Sequence, residues 1–189
     1  WDLALQSRSC RSRICHRHWP MNKQLLNSAK AIVALIVLLA LLVIVMGREK
    51  SLQVVFGAYE VKPVAFANLE LTPKSNQFLV CPPGFCAATP HMLSPTFAGP
   101  ADAFQRRWMK MLAAQPRIEH GAADEAALQY DYIQRSGLMN FPDSITVRFI
   151  PLTPDSSSLA IYSRSHYGRS DFGVNESRIR AWLGALERP

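Results

Sequence analysis

The stretch SITVRFIPLTPDSSSLAIYSRSH, Ser144–His166, decides the fold. Its first seven residues alternate, with Ile145, Val147 and Phe149 on one face. Its last eight begin with Leu159 and Ile161 on one side, and a period of two is that of a half-buried strand. Between them PLTPDSSS is a cluster of turn residues that closes a hairpin. Working outward, Ala127–Ser136 alternates in the same way through Leu128, Tyr130 and Tyr132. RIEH, Arg117–His120, is expected to pair with Gln129–Arg135 across the connection Gly121–Glu125. Turns this short leave no room for parallel crossovers, so the sheet is expected to be antiparallel.

Two helical stripes flank these strands. Phe104, Trp108, Met111 and Leu112 recur at helical spacing between Pro100, suited to the first helical position, and Pro116, which ends the run. Ile179, Trp182, Leu183 and Leu186 mark a second amphipathic helix near the C-terminus. The order predicts an α+β fold: an antiparallel sheet with two helices packed on one face. The segment Gln77–Pro100 is rich in proline and reads as ordered loop. Within it, Cys81 and Cys86 sit in CPPGFC, whose Pro-Pro-Gly forces a reversal that brings the two cysteines within bridging distance. A small structural disulfide is expected there rather than a redox pair, since the motif is not C-x-x-C.

The net charge of +7 is unevenly spread. Residues 1–47 carry six Lys and Arg against Asp2, while the rest carry fifteen basic and thirteen acidic groups. Nucleic-acid binding needs a basic stripe on the folded domain, so that class is excluded. The tail charge instead precedes AIVALIVLLALLVIVM, Ala31–Met46, sixteen consecutive apolar residues. As a helix the run covers about 24 Å, and Gly47 with snorkelling Lys30 and Arg48 extends it toward a short membrane span. It exceeds the usual apolar region of a signal peptide, and Val45-Met46-Gly47 is a poor cleavage site, so an uncleaved anchor is favoured over cleavage. Lys23 and Lys30 keep the N-terminal end cytoplasmic by the positive-inside tendency. The expected arrangement is a single pass through the cytoplasmic membrane, with the C-terminal domain on the periplasmic or extracytoplasmic side.

The domain reading that follows is 1–20 a basic tail, 21–30 the cytoplasmic N-terminus, 31–47 the anchor, 48–76 a stalk, and 77–189 the α+β domain. MNKQLLNSAK from Met21 reads as a natural start, so residues 1–20 are expected to precede the native N-terminus. Cys10, Cys15, His16 and His18 lie in that tail without the second ligand pair or closed fold of a zinc site. No metal and no cofactor are implied elsewhere either; His91 and His120 lack carboxylates at ligand spacing.

The least generic residues follow the hairpin. Alternation puts Ser163 and Ser165 on the face of Ile161, and Tyr162, Arg164 and His166 on the other. Asn175 suits the N-cap of the last helix, and Ser170 and Asp171 suit bonds to loop N–H groups. One reading makes Ser170, Asp171 and Asn175 a capping network with Arg178 paired to Asp171. A second makes Arg164, Arg169 and Arg178, with Ser170, Asp171 and Asn175, a site for a carboxylate, phosphate or lipid headgroup. A third, a hydrolase with His166 as base, Asp171 as its orienter and Ser170 as nucleophile, has no nucleophile elbow or P-loop behind it.

The run YSRSHYGRSDFGVNESRIRAW resembles the closing motif of domain-of-unknown-function family 1499, S-x-S-x-x-G-x-S-D-x-G-x-N-x-x-R. Ser163, Ser165, Gly168, Ser170, Asp171, Gly173, Asn175 and Arg178 meet it. NFPDSITVRF, Asn140–Phe149, is similar to the aromatic-Pro-Asp stretch that opens a strand in the family. The resemblance covers roughly residues 75–187, while CPPGFCAATP departs from the family's segment there. It implies a small exported or membrane-attached domain of bacteria and plastids, with no established activity. The expectation is a membrane-anchored, non-catalytic domain that binds a protein partner in a membrane complex. The alternative is an anionic or lipid ligand near residues 164–178.

Overall fold

The alternation in Ser144–His166 becomes the longest pairing of the fold. The computed structural model describes residues 23–187. Its elements begin with α1 (Lys23–Met46), α2 (Arg48–Phe56), a 3-10 turn (Phe66–Asn68), β1 (Gln77–Cys81), β2 (Met92–Leu93) and β3 (Phe97–Ala98). They continue with α3 (Ala101–Ala113), β4 (Ile118–Asp124), β5 (Gln129–Arg135), β6 (Pro142–Thr153), β7 (Ser156–Ser165) and α4 (Val174–Glu187). The tail 1–20, with Cys10, Cys15, His16 and His18, lies outside the described residues, as does Met21. Residues up to Val45 form one unit and those from Met46 onward another.

Seven strands form one sheet in the order β2-β1-β7-β6-β5-β4, with β3 also paired to β7. Ile145 stands opposite Ser163, Val147 opposite Ile161 and Phe149 opposite Leu159. The sheet is mixed rather than purely antiparallel, because β2 runs parallel to β1. The cause is the connection between them. The Cys81–Cys86 disulfide, with Cα atoms 6.2 Å apart, turns the chain back. His91 N–H then donates to Leu79 O and Ser94 N–H to Cys81 O, which lays Met92 and Leu93 alongside β1. A two-residue strand needs no full crossover element to reach that position.

Period-two alternation gives β1 and β7 two apolar faces. Val80, Ile145, Val147 and Ile161 join Trp108 of α3 and Trp182 of α4 in one buried cluster, the two indole rings edge-on at 5.6 Å. Leu79, Cys81, Ala160 and Tyr162 join Phe66 and Phe85 in a second cluster. Phe66 lies on the 3-10 turn within the segment expected as a stalk, and it is buried. In the same segment α2 buries Leu52 and pairs Glu49 with Arg135 at 3.0 Å.

α1 is an apolar helix of 24 residues with a mean hydropathy of 3.0 in its most apolar stretch. At 1.5 Å per residue that is about 36 Å, long and apolar enough to cross a membrane. Gly47, at φ 78° and ψ 153°, ends it, a conformation that favours glycine.

Candidate functional site

β7 delivers its side chains to two environments, as alternation requires. Ser163 meets Asn175 and Arg178 at the first turn of α4. Arg164 and His166, with Tyr162, line a cavity beside β1. The residues expected to form one anion site are thereby divided.

The first environment is closed. Asn175 is buried inside α4 and is not its N-cap; α4 starts at Val174. The capping falls to Asp171, which accepts from Gly173 N–H at 3.1 Å, Asn175 N–H at 2.7 Å and Asn175 Nδ2 at 2.6 Å. Asn175 Oδ1 accepts from Ser163 Oγ and, at 2.8 Å, from Arg178. Arg178 pairs with Asp143 at 2.5 Å and not with Asp171, both side chains about nine-tenths buried. Asn76 completes the ring: its carbonyl accepts from Asn175 Nδ2, and its Nδ2 donates to Ser165 O and Gly168 O. Gly168 at φ 81° and Gly173 at φ 80° allow the loop to turn at both ends. Such a network welds β1, β6, β7 and α4 together and leaves Arg178 no free charge for a ligand.

Two of its members were not assigned in the sequence. Asp143 belongs to the quoted FPD stretch, whose meaning is now an ion pair to the closing motif. Asn76 carries no local signal, since its partners lie 89 to 99 residues away.

His166 does not join Ser170 and Asp171. Its Nε2 is buried with no hydrogen-bond partner, and its ring lies 4.6 Å from that of Tyr59. Burial, then the charge of Arg164, hold its pKa down to about 4, with Asp143 opposing. Ser170 Oγ accepts from Phe172 N–H, and Arg169 is exposed.

The second environment is open. Its cavity, about 430 Å³, is lined by Lys62, Lys74, Asn76, Gln77, Arg164 and His166 among others. Gln77 is fixed there, donating to Thr72 O at 2.5 Å and Lys74 O at 3.1 Å while accepting from Tyr162 Oη at 2.7 Å. Lys62 pairs with Glu60 at 3.5 Å on the exposed rim. Arg164 is half-buried and forms no ion pair with a carboxylate among the described residues. Its polar contact is the Ser144 hydroxyl at 3.4 Å, and its guanidinium lies 5.8 Å from the Tyr162 ring. No group of three or more His, Cys, Asp or Glu among the described residues is arranged to hold a metal.

In comparisons with known proteins, the model of the family described as "Protein of unknown function (DUF1499)" matches residues 68–186, more than half of the chain. No curated protein matches it.

Proposed function

The chain belongs to the DUF1499 family, and from that premise we propose that it is a membrane-tethered binding domain whose cavity beside Arg164 takes a small anion. The ligand class is a carboxylate or phosphate, free or carried on a lipid headgroup. α1 is the tether, and the domain faces the exported side.

One observation carries the reading: Arg164 is a half-buried cation without a carboxylate partner, in a cavity that also collects Lys74 and Lys62, the latter paired with Glu60. A partly desolvated charge is costly unless an opposite charge joins it. An anion entering here would gain charge-assisted bonds to Arg164, worth roughly 1.5–3 kcal/mol in typical cases. The wall is already ordered, because Gln77 and Tyr162 are held before any ligand arrives. The reading does not use Arg178, whose charge Asp143 meets, or Asp171, whose oxygens cap α4.

Sulfate is the probe of choice because its charge is constant over the useful pH range. The full chain in mild detergent is titrated with sulfate against chloride at matched ionic strength, following thermal unfolding and binding heat. A saturable stabilisation is expected, and Arg164→Gln should weaken binding roughly 10- to 100-fold. An anion in the cavity also offsets the effect of Arg164 on His166, so binding should tighten as pH falls from 7 toward 5, and less so in His166→Gln. A response without saturation, or the same response in Arg164→Gln, defeats the reading.

A further inference from the structure

We propose that a second surface of the domain docks on the bilayer that α1 crosses, through an apolar patch built from α2 and the loops 136–141 and 168–174. The proposal rests on the membrane-tethered reading of α1, and its test separates the two.

The patch consists of large apolar side chains with no cover. Phe172 is 96% exposed, Leu138 84% and Val54 72%, with Val55, Phe56, Met139 and Val174 also exposed. Phe56, Phe172 and Val174 among them are contiguous. The Phe56 ring lies 5.8 Å from Phe141 and 5.3 Å from Tyr167, and these three line one apolar cavity of about 310 Å³ with Phe172 and Val174. Isolated exposed apolar residues are ordinary, whereas a contiguous set marks a contact surface.

The protrusions are held in place. Ser136 N–H donates to Phe141 O and Phe141 N–H to Ser136 Oγ, both at 2.9 Å, so the tip carrying Leu138 and Met139 is closed. Phe172 sits at φ 56°, in the left-handed region that L side chains rarely adopt. The turn is fixed by Phe172 N–H donating to Ser170 Oγ and by Asp171 accepting from Gly173 N–H, so the exposed ring is presented on an ordered loop, and such strain gathers where a contact is made.

Chain connectivity names the occupant. With α1 spanning the bilayer as proposed, Arg48, the second residue after Met46 at its end, lies near the bilayer surface. Its guanidinium donates to the Leu138 carbonyl at 3.4 Å, which brings the tip of the 136–141 loop to the same level. The charges agree with a lipid surface. Exposed Lys50 and Arg169 border the patch with Arg48 and pair with no carboxylate among the described residues. The neighbouring acids are engaged elsewhere: Glu49 with Arg135, Asp143 with Arg178, and Asp171 with the N–H groups of α4. An apolar face fringed by cations is the pattern of interfacial binding to anionic lipid.

The test uses the full chain in vesicles of phosphatidylethanolamine and phosphatidylglycerol containing spin-labelled lipid, with Cys10 and Cys15 replaced by serine. An environment-sensitive fluorophore is placed through Leu138→Cys, Phe172→Cys or, as control, Asp155→Cys. Asp155 lies past the far end of the twelve-residue β6, roughly 40 Å from the 136–141 loop at about 3.3 Å per residue. Flotation at high salt, which screens interfacial binding to anionic lipid, reports the anchor. In floating protein, lipid quenching at 138 and 172 should exceed that at 155 severalfold. With the label at 172, Leu138→Asp should cut the quenching while flotation persists. Equal quenching at all three positions, in protein that floats, overturns the docking surface and leaves the anchor standing. So does burial of 138 and 172 that requires a co-purifying protein rather than lipid. Failure to float overturns the anchor itself.

Discussion

Asp143 and Arg178 make the pair on which the closing motif rests, and its energetics set a sharp expectation. Both side chains are about nine-tenths buried, and Arg178 also bonds Ser163 and Asn175. Removing one partner strands a buried charge, so Asp143→Ala should destabilise the domain by about 3–5 kcal/mol in chemical denaturation. Asp143→Leu combined with Arg178→Met should cost much less than the two single changes summed, because no charge is then left unpaired. A fully additive cycle would show that the pair is not the coupling element. His166 sets a pH expectation of the opposite kind. Its pKa falls from 6.5 to about 4 in the fold, first through burial and then through Arg164. The unfolded chain therefore takes up the proton first as pH falls. The resulting stability is fully present above about pH 6.5 and is lost as pH drops toward about 4. Melting curves across that window should slope, and His166→Gln should flatten the slope. Ser163, Ser165, Arg164 and His166 could all be assigned to faces from the sequence, because one strand's alternation is local. Their partners could not, because Asn76 is the residue before β1 and Asp143 comes from β6, both far away in the chain.

At the scale of elements, legibility followed the contrast between faces. β5, β6 and β7 alternate and were readable as strands; α3 and α4 carry single apolar stripes and were readable as helices. β1 was not readable. After Gln77 its residues are apolar without a break, Phe78 and Val80 in one cluster and Leu79 and Cys81 in the other, so FLVC has no polar phase to reveal a period of two. β2 and β3 are two residues each and owe their place to pairing with β1 and β7. The disulfide is the local device that makes the β1–β2 turn. For its short loop the chain-entropy relation gives about 2 kcal/mol. Cys81→Ala with Cys86→Ala should therefore lower the melting temperature by several degrees. An unchanged melting temperature would mean that hydrogen bonds such as His91 N–H to Leu79 O hold the turn unaided.

For the whole molecule, both hydrophobic clusters and the Asn175 network lie in the unit that begins at Met46. Removing residues 1–45 should leave one cooperative unfolding transition with the disulfide intact, followed by circular dichroism and calorimetry. A broad or absent transition would show that the N-terminal unit contributes to the fold. The sequence by itself determined the apolar helix, the α+β class, the strands that alternate and the family, since each is written in periodicity, composition or a contiguous motif. Only the tertiary structure decided that β2 runs parallel to β1, that Asp171 rather than Asn175 caps α4, and that Arg178 is spent on Asp143 while Arg164 faces an open cavity. Those outcomes depend on which strands become neighbours and in what register. Contacts across 35 to 99 residues of chain leave no periodic trace at either end.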